Sequence, residues 1–146
     1  MSDIKEIWSN FTGPEESEEN VPLKILEAQV NAINKNKEVN EVYATIITSS
    51  GDNSSIIRNI LYLIPIYGNG YNYRYIEFTQ QIDAIYPVIV RAFQAGNTDF
   101  GTVTREMGEV GIYEVLTKIF SDLRTKIVLT QLKSIGRNVK DWKNGI

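Results

Sequence analysis

Apolar positions along this chain change their spacing several times, and each change marks an element. Ile4, Ile7, Trp8 and Phe11 fall at i, i+3, i+4 and i+7 behind Ser2. That is one stripe of a short helix, which must dock on the body or on a partner to shelter its rings. Gly13-Pro14 ends it, and Glu15 to Asn20 reads as an acidic linker. Pro22 suits a first helical turn, and Leu23, Leu26, Val30 and Ile33 share a face, so the spacing predicts a helix over 22–37.

From Val39 to Thr48 the β-branched and aromatic content rises, with Val42, Ala44 and Ile46 alternating against Tyr43, Thr45 and Ile47, a strand with both faces in use. The turn cluster Ser49 to Ser54 predicts that Ile56 to Ile66 returns antiparallel. Tyr67-Gly68-Asn69-Gly70 is a second tight connection. Beyond it, residues 71–79 alternate, with Tyr71, Tyr73, Tyr75 and Glu77 on one side and Asn72, Arg74, Ile76 and Phe78 on the other. Ile85 to Ala92 reads as a fourth strand, with Pro87 at an edge or near its start.

Glycines at 96, 101, 108 and 111 interrupt any period in 94–111, which reads as a loop with room for a short strand at Thr102-Val103-Thr104. Ile112, Val115, Leu116, Ile119 and Phe120 then form a helical stripe, and Ser121-Asp122 breaks and recaps it before Leu123, Ile127, Val128, Leu132 and Ile135. Gly136 is placed as the residue just past that helix, followed by a basic tail over 137–146. The expectation is an α+β fold: an N-terminal helix, a four-stranded antiparallel meander and a C-terminal helix pair packed on one sheet face. It gives one domain over 22–136, preceded by the arm and linker of 1–21.

Composition narrows the chemistry. The 146 residues include no Cys and no His, which excludes thiol nucleophiles, Cys- or His-ligated metal and an imidazole proton shuttle. With 42% hydrophobic residues the chain can bury a core without metal or disulfide, so no cofactor is expected. The net charge of −3 disfavours general attraction to nucleic acid or an anionic membrane. It is unevenly spread: residues 1–21 hold Asp3, Glu6, Glu15, Glu16, Glu18 and Glu19 against Lys5, while residues 118–143 hold seven bases against Asp122 and Asp141. The ends either soften each other's field or leave a basic C-terminal face for an acidic partner. No secretory signal opens the chain, and the longest apolar run, Ile60 to Ile66, falls well short of the ~20 residues a membrane helix needs, so a cytoplasmic protein is expected.

The helix start Pro22-Leu23-Lys24-Ile25-Leu26-Glu27-Ala28-Gln29-Val30, the strand Tyr71-Asn72-Tyr73-Arg74-Tyr75, the segment Ile85-Tyr86-Pro87-Val88 and the ending Glu114 to Ser121 together resemble a family of small prokaryotic proteins. Those proteins open with Pro, Ile-Leu and Gln on a helix, pass through a Tyr-rich and a Tyr-Pro-Val strand, and close with a helix pair. The resemblance spans about residues 22–135 and implies the fold; it brings no activity and no catalytic residue.

The densest cluster of candidate binding groups is Tyr71, Tyr73 and Tyr75 with Glu77, Arg74 lying opposite. Aligned tyrosines can stack on bases or sugars, or they can simply be good strand formers packed beneath a helix. Gly68-Asn69-Gly70 precedes a strand and lacks a following Lys-Ser or Lys-Thr, so it is no phosphate loop. Carboxylate chemistry stays formally open, although no spacing of Glu77, Asp83, Asp99, Glu106, Glu109 and Glu114 demands it. The expectation is a non-catalytic binding or adaptor protein docking on a macromolecule, with Ile4, Ile7, Trp8 and Phe11 as docking residues and a protein partner or self-association favoured over nucleic acid. Small-ligand or single-stranded nucleic-acid binding on the tyrosine face is the alternative, and a carboxylate-dependent hydrolase is the third reading.

Overall fold

The computed structural model describes residues 19–50, 55–67, 70–94 and 99–143, with side chains as far as Arg137. The short helix expected over Ile4 to Phe11, with Trp8, lies outside the described residues. Five strands form one antiparallel sheet in sequence order: β1 Val42–Ser50, β2 Ile56–Pro65, β3 Tyr73–Gln81, β4 Val88–Ala92 and β5 Asp99–Val103. The expected meander has therefore gained a strand, made from Asp99-Phe100-Gly101 in addition to Thr102 and Val103. Alternation did not reveal it because the β4–β5 register shifts between Val90 and Arg91 and Gly101 sits at φ 134, a conformation suited to glycine. Pro87 directly precedes β4, where its missing N–H costs no ladder bond.

Among the described residues four helices accompany the sheet: α1 Val21–Lys35, the single turn α2 Lys37–Asn40, α3 Gly108–Ser121 and α4 Leu123–Lys143. Asn20 caps α1, its Oδ1 accepting from the Leu23 amide at 3.3 Å, and Pro22 occupies the first turn. The expected helix over 22–37 thus ends at Lys35, and β1 begins later than the predicted Val39 because α2 takes up the intervening residues. Asp122 recaps the chain between α3 and α4, Oδ1 accepting from the Arg124 amide at 2.8 Å. Gly136, expected just beyond a helix, lies inside α4, which continues to Lys143.

One sheet face carries the core. Val42, Ala44, Leu61, Leu63, Ile76, Phe78, Val88, Val90 and Ala92 meet Ile25 and Leu26 of α1, Ile112, Leu116 and Ile119 of α3 and Leu132 of α4 in one buried cluster. A further link ties α1 to the sheet edge: Asn34 Nδ2 donates to the Ala44 carbonyl at 3.1 Å, and its Oδ1 accepts from the Ala44 amide at 2.7 Å.

Strand β3 breaks the simple alternation. Leu61 pairs with Ile76 but Tyr62 pairs with Arg74, leaving Tyr75 as the extra residue of a bulge. The predicted row Tyr71, Tyr73, Tyr75, Glu77 is therefore split. Tyr73, opposite Leu63, and Tyr75, a member of the core cluster, lie on the helix side, whereas Glu77, opposite Ile60, is turned to the other face with Arg74.

Candidate functional site

Pairing across the sheet fixes what the second face presents. One row runs Ile47, Ile60, Glu77, Arg91, Asp99 from β1 to β5, and beside it runs Ser49, Arg58, Thr79, Ile89, Thr102. Thr45, Tyr62 and Arg74 form a third, with Tyr43 and Ile64 beyond. Ile60 is buried yet stands outside the main core cluster, as its position on this face requires. The apolar residues that the helices bury all belong to the opposite side. Tyr43 and Ile47 are 37% and 50% exposed.

Glu77 anchors this face. It is only 3% exposed, and each carboxylate oxygen is engaged: Oε1 accepts from Arg74 Nη2 at 2.6 Å, and Oε2 accepts from Thr79 Oγ1 at 3.2 Å and faces Arg91 Nη1 at 3.6 Å. A buried carboxylate needs such compensation, and cross-strand placement of opposite charges is a common way to supply it. The guanidiniums outnumber it. Arg58 forms no ion pair among the described residues, and the Nε–H groups of Arg58 and Arg74 are buried without an acceptor. Asp99, next to Arg91 in its row, makes no ion pair with it.

Tyr73 and Tyr75 of the predicted row face elsewhere. Tyr75 is 2% exposed, and its hydroxyl lies 2.7 Å from Thr125 Oγ1 on α4; burial pushes its pKa up to about 12. Tyr73 is half-buried, its pKa raised first by burial and then by Tyr71, with Arg124 opposing. Tyr71 and Tyr73 line an apolar groove of about 330 Å³ with Ile127, Val128, Leu132 and Ile135 of α4. Tyr75 also packs on Phe93 and Phe120, and the Arg124 guanidinium lies 4.4 Å from the Phe93 ring centre. Hydrogen bonds from the Arg124 side chain and backbone hold Asp122 down to about 2, and Arg124 is correspondingly raised. These groups brace the α3–α4 break against the sheet, so the predicted binding row is in large part a packing element: Tyr75 has no ring face to offer a base.

Two features of the helices bear on partners. Lys126, Lys133 and Arg137 border a groove of about 380 Å³ with Asn40, Thr130 and Ser134, and Arg137 Nε donates to Glu41 at 3.1 Å. Val110, Tyr113, Phe120, Leu123 and Ile127 are exposed along α3 and the start of α4. The docking residues Ile4, Ile7, Trp8 and Phe11 lie outside the described residues. Among those described, no group of three or more acidic side chains is placed to hold a metal ion, and no helix is long and apolar enough to cross a membrane.

Sequence reasoning found Arg74 and Glu77 but missed Arg58 and Arg91. The available signal was register: once β2, β3 and β4 are paired through their short connections, Arg58 falls opposite Thr79 and Arg91 opposite Glu77. No protein-family model, curated protein or solved structure matches the chain.

Proposed function

We propose that this chain is a non-catalytic binding or adaptor protein that engages a macromolecular partner through the sheet face bearing Glu77. The observation that carries the reading is the placement of exposed Tyr43 and Ile47 on one sheet face with Arg58, Arg74 and Arg91. Tyr and Arg are the side chains that most often dominate protein interfaces, and a paired sheet gives them a rigid platform. Glu77, the one buried acid among the described residues, has both oxygens committed to Arg74, Arg91 and Thr79 and so offers no free base to a substrate. A cytoplasmic setting goes with this reading.

The test compares immobilised wild-type protein with Ile47→Asp, an exposed change on the proposed face, and Ile127→Asp, an equally exposed change on α4. A specific partner should be held by the wild type and by Ile127→Asp and lost from Ile47→Asp, by about 2 kcal/mol if Ile47 lies in the anchoring patch. A Trp8→Ala, Phe11→Ala double variant asks separately whether the N-terminal arm contributes. Failure of the wild type to hold any partner, or unchanged retention by Ile47→Asp, refutes the reading. A second reading, small-ligand binding, is favoured by the Tyr71–Tyr73 groove, whose size and apolar lining suit a small aromatic molecule. A thermal shift abolished by Tyr71→Ala would support it.

A further inference from the structure

Resting on the reading that the Glu77 face is the docking surface, we infer that its anchor is an anion site centred on Arg58, and that the group it takes is a carboxylate of an acidic, partly apolar protein segment. Charge balance is the first argument. Arg58, Arg74 and Arg91 share this part of the sheet with Glu77, and Glu77 is already saturated by Arg74, Arg91 and Thr79. Among the described residues Arg58 is left half-buried without a carboxylate, with Asp99 three strands away in the neighbouring row. The second argument is satisfaction. The Nε–H groups of Arg58 and Arg74 are withdrawn from water and have no acceptor among the described residues, a state that costs free energy and that a turn of the side chain onto an incoming oxygen would relieve. Guanidinium presents Nε–H and Nη–H as a planar fork matched to the two oxygens of a carboxylate or the edge of a phosphate.

The surroundings choose between those oxyanions. Ile47, Tyr62 and Ile89 border the arginines with apolar surface, Tyr43 and Ile64 lie farther along the same face, and the whole chain carries a charge of −3. A polyphosphate chain would meet a repulsive molecule and few further cations on this face, whereas a peptide with one acid flanked by apolar side chains meets complementary groups throughout. Glu77 itself sets a limit: it holds Arg74 and Arg91 in place and repels a second carboxylate placed over it, which steers the anion toward Arg58.

The probe is benzoate, a carboxylate on an apolar ring, with benzamide as its uncharged counterpart, added at millimolar concentration while arginine Nε–Hε signals are followed by NMR. Benzoate should shift the Arg58 signal saturably and more weakly as salt is raised; benzamide should not. Arg58→Gln should weaken benzoate binding at least about tenfold while leaving the backbone spectrum folded, and Arg58→Lys should recover only part of it. An Arg58 signal unmoved by benzoate, or moved equally by benzamide, overturns the inference. Tighter binding of inorganic phosphate or of an oligothymidylate than of benzoate overturns the choice of a carboxylate. These outcomes are independent of the partner-retention experiment, so loss of the anion site and loss of the docking reading are told apart.

Discussion

Tyr75 and Thr125 offer the sharpest test of how the sheet and the helix pair are joined. Thr125 Oγ1 donates to the Ile119 carbonyl at 2.7 Å, so its one proton is committed and the Tyr75 hydroxyl must be the donor in the 2.7 Å bond between them. Tyr75→Phe removes that donor and keeps the ring, and should cost about 1 kcal/mol. Thr125→Val strands the buried Tyr75 hydroxyl and should cost more, roughly 2–3 kcal/mol. The double variant should cost less than the two together, with a coupling near 1 kcal/mol, because the shared bond is lost once. Raising pH gives an independent reading. The folded-state pKa of about 12 exceeds the ordinary 10.0, so between these values the unfolded chain has released a proton that the folded chain retains. Stability from this group is therefore complete below pH 10 and declines as pH rises toward 12, by about 1.4 kcal/mol per unit. Urea denaturation of wild type and Tyr75→Phe from neutral pH upward measures both. Equal steepness of the alkaline decline in the two proteins would refute the buried, donating hydroxyl.

Further outcomes are accessible by thermal or chemical denaturation. Gly111→Ala should destabilise by about 1–2 kcal/mol although alanine is the better helix former, because the new Cβ would stand 2.7 Å from Met107 Cβ and 3.0 Å from Val103 Cγ1. Gly136→Ala should stabilise by up to about 1 kcal/mol, since it lies within α4 and its nearest neighbour, Pro65 Cβ, is at an ordinary 3.6 Å; destabilisation would place this residue at a helix end instead. Glu77→Gln should destabilise, by about 1–2 kcal/mol given that Arg74 and Arg91 are partly solvated, and added salt should narrow the gap by screening the arginines. Asp122→Ala should lower the melting temperature at neutral pH. That difference should persist below pH 3.8 and vanish as pH falls through about 2, where the wild-type carboxylate takes up its proton.

Much of the architecture was legible because burial on one side writes itself into a strand. Val42, Ala44 and Ile46 alternate with Tyr43, Thr45 and Ile47 as β1 requires, and the Ser121-Asp122 recap is visible as a break between two apolar stripes. The fifth strand was legible only as room for a short strand at Thr102-Val103-Thr104, since Asp99, Gly101 and Thr102 carry no apolar alternation. Nor was the facing of Glu77. Tyrosine suits either side of a sheet, so Tyr71, Tyr73 and Tyr75 continue an apparent period of two straight through the bulge that reverses it. Arg58 and Arg91 were hidden for a different reason: each is unremarkable in its own strand and becomes informative only when three strands are set in register.

The two-way bond between Asn34 and Ala44 has a consequence for the outer border of the sheet. A strand at the rim offers a template to any extended chain that drifts past, and unguarded rims seed fibrils. Here an amide side chain reaching from α1 occupies both main-chain groups of Ala44, imitating one rung of a neighbouring strand and ending the ladder there. An invading peptide would have to evict Asn34 before it could zip along the length of β1, so the helix works as a doorstop against runaway polymerisation.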